Sequence, residues 1–201
     1  MIRRTGPTPS RAVIVGTGLI GGSVGLALRQ QGWHVTGRDH DPNREAKALE
    51  LGAVDAIGDD ADATVTVVAT PVRAVVDEVQ AALAKGPGLV TDVGSVKTPI
   101  VEGVNASGLP GTGRFVGGHP MAGSEQDGVE GARADLFQGA TWVLTPDAHT
   151  DVAAYAHLQQ IVGSLGADVV ALPPERHDRM VAVVSHVPHL TAATLMKLAA
   201  G

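Results

Sequence analysis

The chain has 201 residues, with 15 Lys and Arg against 21 Asp and Glu and a formal charge of -6 at pH 7. An acidic chain without clustered cations is a poor match for a phosphate backbone, which argues against nucleic acid as a partner. The absence of cysteine removes disulfides, thiolate nucleophiles and Cys-ligated metals. A 44% apolar and 18% charged composition suits a globular domain, and with only two Trp, one Tyr and two Phe the core is expected to be built from Ala, Val, Leu and Ile.

Residues 1–10 are polar, contain Pro7 and Pro9, and lack the apolar stretch of a signal peptide, so a disordered tail is expected there. No apolar run approaches the ~18–20 residues of a membrane span, and a cytoplasmic location without membrane partners is expected. Residues 12–15 form a short apolar run ending at a glycine cluster, which predicts a buried strand. Apolar residues at helical spacing follow over 19–31 and stop at Gly32. A strand over 33–37, a helix over 44–51 ending at Gly52, and a β-branched strand over 64–69 come next. A helix over 72–85, stopped by Gly86-Pro87-Gly88, and a buried strand over 89–93 complete the regular part. Alternating strands and helices with short connections predict a parallel sheet with right-handed crossovers.

The pattern then loosens. Residues 114–117 read as a strand leading into Gly118-His119-Pro120, and 121–139 as a Gly-rich loop with a short helix around 129–136. Strand, helix and strand are expected over 141–144, 152–165 and 167–172. After Pro173-Pro174 a helical pattern runs from 175 to 200, interrupted by Pro188. The α/β unit is therefore expected to span residues 11–172. Residues 173–201 read as the first helix of a separate all-helical unit for substrate binding and dimerisation. Its apolar face (Leu190, Leu195, Leu198) has nothing after it to cover it, which implies a truncated chain or packing on another chain.

Gly16-Thr17-Gly18-Leu19-Ile20-Gly21 lies between a predicted strand and a predicted helix, the context that a dinucleotide fingerprint requires. Gly16 serves the tight turn, Gly18 the approach of the pyrophosphate, and Gly21 close helix–sheet packing, with the phosphates against Leu19, Ile20 and the helix N-terminus. Asp39 lies 23 positions after Gly16, just past the second strand, where a carboxylate accepts from ribose hydroxyls and repels a 2′-phosphate. NAD is therefore favoured over NADP, although Arg38 and Arg44 nearby offer a phosphate partner. Thr70-Pro71 follows a strand at the sheet's carboxyl edge and has two compatible readings: lining the cofactor cleft, or an N-cap Thr with Pro at N1. The fold expected is a Rossmann-type, doubly wound, mostly parallel sheet followed by the start of an all-helical domain.

Three further runs end up at the same sheet edge or follow it: Asp92-Val93-Gly94-Ser95-Val96-Lys97, Gly118-His119-Pro120-Met121-Ala122-Gly123-Ser124-Glu125, and His177-Asp178 with Val181-Ala182 and Ser185-His186-Val187-Pro188-His189. With the glycine motif, and in this order, they resemble prephenate and arogenate dehydrogenases from about Ala12 to the end of the chain. The resemblance implies an enzyme of tyrosine biosynthesis that oxidatively decarboxylates prephenate or arogenate: the C4 hydroxyl loses its proton, C4 gives hydride to the nicotinamide, and the ring carboxylate leaves as carbon dioxide. Such a protein needs a hydride acceptor, a base and anchors for carboxylates.

His119 is the candidate base, since a neutral imidazole suits proton abstraction near neutral pH, the alternative being a histidine satisfied by loop carbonyls. The resemblance has Ser95 hydrogen-bond the same hydroxyl or hold the imidazole, while its position also suits capping of a helix starting at Val96. Pro188 is expected to free the Val184 carbonyl, and the resulting kink can tilt Ser185 and His189, four apart on one helix face, toward the cleft. By resemblance these two line the substrate together with Ser124 and Glu125, and His186 is a packing residue. Lys97 could help bind an anionic substrate but reads first as a solvated lysine near a helix start, and His34, His40, His149 and His157 read as surface residues. No HExxH and no carboxylate at ligand spacing accompany the histidines, so no metal is expected.

In the resembled family the helical domain supplies an arginine that clamps a substrate carboxylate, together with most of a homodimer interface; no Arg follows Arg179 here. The chain by itself is thus expected to bind NAD and turn over poorly. Two other functions compete. One is an NAD(P)-dependent oxidoreductase of the 3-hydroxyacid or imine type, which would place a catalytic lysine on the long helix, where only Lys197 occurs, late. The other is a non-catalytic nucleotide-binding module, which would have little use for His119, Ser95 and His189 together.

Overall fold

The computed structural model describes residues 10–124, 126, 128–183 and 196. The tail expected over residues 1–10 therefore lies, but for Ser10, outside the described residues, as do Pro188, Leu190, Leu195, Lys197 and Leu198.

Eight strands form one sheet: β1 (Arg11–Val15), β2 (His34–Arg38), β3 (Ala56–Ile57), β4 (Val65–Val68), β5 (Leu89–Asp92), β6 (Phe115–Pro120), β7 (Thr141–Thr145) and β8 (Asp168–Ala171). Their spatial order is β3-β2-β1-β4-β5-β6-β7-β8. Neighbours from β3 to β6 pair parallel, β6 and β7 pair antiparallel, and β7 and β8 parallel. The chain winds outward from β1 in one direction through β2 and β3, then restarts at β4 and proceeds in the other. That reversal between β1 and β4 opens a crevice at the carboxyl ends of the strands, where ligands of open α/β sheets bind.

The helices are α1 (Leu19–Gln30), α2 (Pro42–Glu50), α3 (Val72–Lys85), α4 (Thr98–Ala106), α5 (Val152–Ser164) and α6 (Pro174–Val181). Along β1 the side chains alternate between faces. Ala12 and Ile14 join a core with Val24 and Leu28 of α1, Ala48 of α2 and Leu158 and Ile161 of α5. Val13 and Val15 join a second core with Val75, Val79 and Leu83 of α3 and Ile100 and Val104 of α4. Covering both faces explains why β5 reads as an unbroken buried run. Of the scarce aromatics, Phe115, Phe137 and Trp142 are buried, so the core is not wholly aliphatic.

Three local expectations are corrected. The helix expected around 129–136 is a single 3-10 turn, Val129–Gly131. The helix expected to start at Val96 starts at Thr98. Strand β6 continues to Pro120, past the expected end at 117, because its last four residues pair antiparallel with β7, His119 opposite Val143. A two-residue β3 carries no periodicity to read, which is why it was not foreseen.

Helix α6 begins one residue before the expected start and packs on α4 and β7, with Pro174, His177 and Val181 buried. Among the described residues no helix is long and apolar enough to cross a membrane.

Candidate active site at the carboxyl edge of the sheet

The glycine turn joins β1 to α1. Gly16 adopts φ 92°, in the left-handed region, and a Cβ there would lie 2.5 Å from the Ala69 carbonyl oxygen. A Cβ on Gly21 would overlap the Gly16 carbonyl oxygen, so α1 can approach the sheet only with glycine here. Gly18 differs: a Cβ added to it meets nothing within 4 Å. It is the N-cap of α1, with no side-chain cap bond and no acidic residue in the first turn, which leaves the first N–H groups without a capping side chain and the helix dipole uncompensated by a nearby carboxylate.

A cleft of about 780 Å³ starts at this turn. It is lined by Gly16, Gly18, Leu19 and Ile20 from the turn, Arg38, Asp39, His40 and Arg44 after β2, Thr70 and Pro71 after β4, Ser95 after β5, and Gly128. Gly21 is buried behind it. The Asp39 carboxylate accepts the Thr17 backbone N–H at 2.8 Å and the Asp41 N–H at 3.1 Å, so it holds the end of β2 against the glycine turn. Arg38 is committed elsewhere: its guanidinium bonds Asp59 at 2.9 Å and Glu78. Burial alone would lower its pKa, but these two carboxylates outweigh that and raise it. Arg44 is more exposed, 3.9 Å from Asp41.

Thr70 does not cap α3, whose N-cap is Pro71 without a side-chain bond. The Thr70 hydroxyl is buried and has no hydrogen-bond partner among the described residues, an arrangement that costs stability unless a ligand group completes it.

Ser95 is exposed on the cleft and does not cap the following helix either. The first N–H groups of α4 are instead bonded by Asp178 from α6: Lys97 N–H donates to Oδ1 at 2.7 Å and Thr98 N–H to Oδ2 at 2.9 Å. Lys97 is not solvated. It is fully buried, its ammonium paired with the buried Asp92 carboxylate and donating to the Gly118 carbonyl at 2.7 Å. Asp92 also accepts from Gly94 N–H at 2.8 Å and Gly118 N–H at 3.2 Å. Burial pushes the Lys97 pKa down, and Asp92 opposes that push. The pair thus ties the loop after β5 to β6 one residue before His119.

His119 stands on β6 at the same sheet edge as the glycine turn. Three strand spacings of about 4.8 Å separate β6 from β1, so the ends of the two strands lie roughly 14 Å apart along that edge. The ring is half-buried. Its Nδ1 lies 2.9 Å from Nε2 of the fully buried His177, with the rings edge-on, and His177 Nδ1 lies 2.8 Å from Asp178 Oδ1. Burial, followed by the proximity of His177 and Lys97, pushes the His119 pKa down to about 4, with Asp178 opposing. His119 is therefore an uncharged acceptor near neutral pH.

Ser124 sits exposed in the loop after β6, its hydroxyl accepting from Gln126 N–H at 3.2 Å. Glu125, Ser185, His186 and His189 lie outside the described residues. Among the described residues no group of three or more His, Asp or Glu is placed to hold a metal ion.

Residues 24–171 match the family described as prephenate dehydrogenase, nucleotide-binding domain. The chain belongs to the prephenate dehydrogenase family. Residues 173–200 match the second part of that family, described as prephenate dehydrogenase, dimerization domain. A prephenate dehydrogenase of Bacillus subtilis is 37% identical over 194 residues, covering 92% of this chain and 52% of the relative. The chain thus spans about half the length of that prephenate dehydrogenase. An arogenate dehydrogenase structure from Synechocystis superposes with a TM-score of 0.84 at 34% identity, covering 95% of this chain and 69% of the other. A prephenate dehydrogenase from A. aeolicus, solved with hydroxyphenyl propionate and NAD+, superposes at 0.85 with 32% identity, covering 95% and 69%.

Within this prephenate dehydrogenase family member, the sequence reading missed the roles of Asp92, Lys97, His177 and Asp178. His177-Asp178 was visible as a run in the family's order. Nothing in the spacing, however, tells that a lysine is buried or that two histidines 58 positions apart share a hydrogen bond.

Proposed function

We propose that the protein is an NAD-dependent dehydrogenase that oxidatively decarboxylates prephenate to 4-hydroxyphenylpyruvate, or arogenate to tyrosine. The observation that carries this reading is His119: a neutral imidazole, held by a hydrogen bond through Nδ1, on the same sheet edge as the open glycine turn.

The cleft suits a dinucleotide. Open space over Gly18 admits a pyrophosphate against the α1 N-terminus, the buried Thr70 hydroxyl lacks a partner, and Asp39 stands where a ribose would be read. Bound NAD supplies the hydride acceptor. NAD is favoured over NADP because Asp39 would repel a 2′-phosphate and Arg38 is already held by Asp59 and Glu78, leaving Arg44 as the available guanidinium. The relative solved with NAD+ supports the same assignment.

In the reaction His119 takes the proton of the substrate's C4 hydroxyl as the hydride departs and carbon dioxide leaves. A base contributes about 10²–10⁴-fold when positioned in this way. Ser95, exposed on the cleft, hydrogen-bonds the same hydroxyl. Ser124, Glu125, Ser185 and His189 are proposed to receive the rest of the substrate. A division near residue 172, a homodimer through the helical part and a cytoplasmic location complete the reading; the two family matches meeting at 171 and 173 support the division.

The test is to add prephenate or arogenate with NAD to the protein and follow reduced nicotinamide. His119→Asn is expected to lower the rate ~10²-fold or more while leaving NAD binding intact. An undiminished rate in that variant would remove the imidazole from the chemistry.

A further inference from the structure

The hydrogen bonds behind His119 have a direction. Asp178 accepts two backbone N–H groups, which can only donate, and its oxygen Oδ1 also faces His177 Nδ1. Burial would raise the Asp178 carboxyl, but the bonds from Thr98, His177 and Lys97 together hold it below the usual carboxylate range. Asp178 is thus an ionised acceptor on every side, so the proton between it and His177 sits on His177 Nδ1. In a neutral ring the other nitrogen, Nε2, then has a lone pair. The partner facing that lone pair at 2.9 Å, His119 Nδ1, must donate. His119 is left with a proton on Nδ1 and a bare Nε2, the form of imidazole able to act as a base through Nε2. A cationic His177 would instead place the proton on His119 Nε2, the outcome that would overturn this assignment.

We propose that His177 and Asp178 are positioning residues that hold His119 in the Nδ1–H tautomer and then receive its charge. This rests on His119 being the base. When the substrate hydroxyl proton arrives at His119 Nε2, the Nδ1–H bond of His119 breaks and an N–H bond forms at His177 Nε2. His119 is neutral again, and the positive charge lies on His177, 2.8 Å from the Asp178 carboxylate. Both positioning residues belong to α6, within the part matched by the dimerization domain, whereas His119 belongs to the nucleotide-binding part. The base is therefore assembled across the two parts of the family, and its competence depends on the seating of α6.

The experiment is ¹⁵N-histidine NMR on the protein, reading which ring nitrogen of His119 is protonated, alongside steady-state kinetics. Wild type is expected to show the Nδ1–H form. His177→Phe is expected to move His119 toward the Nε2–H form ordinarily preferred by free imidazole, and to lower kcat about 10²-fold with KM little changed. His177→Gln, whose amide oxygen can take the place of Nε2 as acceptor, should restore the Nδ1–H form and part of kcat. A wild-type His119 protonated on Nε2, or a tautomer unchanged in folded His177→Phe, overturns the proposal. If the Phe variant does not fold, the wild-type and Gln spectra decide it. A rate sensitive to His119→Asn but a tautomer indifferent to position 177 overturns the positioning roles alone. A rate indifferent to His119→Asn overturns the base assignment as well.

Discussion

The Asp39 carboxylate accepts the Thr17 backbone N–H at 2.8 Å, so the residue proposed to read the ribose also braces the glycine turn proposed to receive the pyrophosphate. Asp39→Asn keeps an acceptor for Thr17 but loses the charge. It is expected to weaken NADH binding about 10-fold, close to 1.4 kcal/mol, and to narrow the preference over NADPH. Arg44 then becomes the phosphate partner, since Arg38 stays with Asp59 and Glu78. Paired fluorescence titrations with the two reduced cofactors check this; an unchanged ratio would mean that the discrimination lies elsewhere.

Two glycines of one motif should fail in different ways. Gly18→Ala adds a methyl where nothing lies within 4 Å, so the free protein should keep its stability within about 0.5 kcal/mol and lose dinucleotide binding. Gly21→Ala drives a methyl into the Gly16 carbonyl and should unfold or strongly destabilise the protein. Urea unfolding and NADH titration of both variants separate the roles. Equal destabilisation by the two substitutions would contradict the geometry.

The Lys97–Asp92 pair is fully buried, so removing one partner strands a charge. Lys97→Met is expected to cost about 3–5 kcal/mol. Adding Asp92→Asn should return part of that loss, because the stranded carboxylate is gone. A double-mutant cycle measured by chemical denaturation reads the coupling; additive losses would show that the two side chains act independently.

His119 carries a pH signature. Its folded pKa of about 4 lies below the ordinary value of 6.5, through burial, His177 and Lys97, against the opposing Asp178. A depressed histidine pKa means that the unfolded chain takes up the proton first. The associated stability is fully present above about pH 6.5 and is lost as pH falls toward 4. Allowing for solvent screening of a half-buried group, the loss is on the order of 2 kcal/mol. Wild type minus His119→Asn, compared by urea unfolding at several pH values across that window, isolates it. The same shift should place the acid limb of kcat/KM below 6.5, and a limb at or above that value would show that another group titrates.

What was legible from the chain alone is what short-range spacing encodes. Strand, glycine turn and helix are contiguous over residues 11–30, and the carboxylate after β2 follows by a length that one helix fixes. The tight turn at Gly16, the close approach of Gly21 to the Gly16 carbonyl and the alternation of buried strands with amphipathic helices are local properties. They carried the fold class and the cofactor cleft, whereas the candidate base His119 came from the resemblance of its Gly-His-Pro run to the dehydrogenase family.

Tertiary structure decided the rest, because those relationships join residues far apart in sequence. The extension of β6 through Pro120 depends on an antiparallel partner some 25 residues later. Thr70 and Ser95, read as possible caps, lie on the cleft uncapping, and the N–H groups Ser95 was positioned to serve are taken by Asp178, 80 and 81 positions away. Lys97 looks like any surface lysine until β5 and β6 close over it with Asp92. A side chain's charge is written in its residue type, but whether that charge is solvated, paired or aimed at another ring depends on which surfaces the fold removes from water. That outcome is set by packing of the whole sheet and appears in no local window.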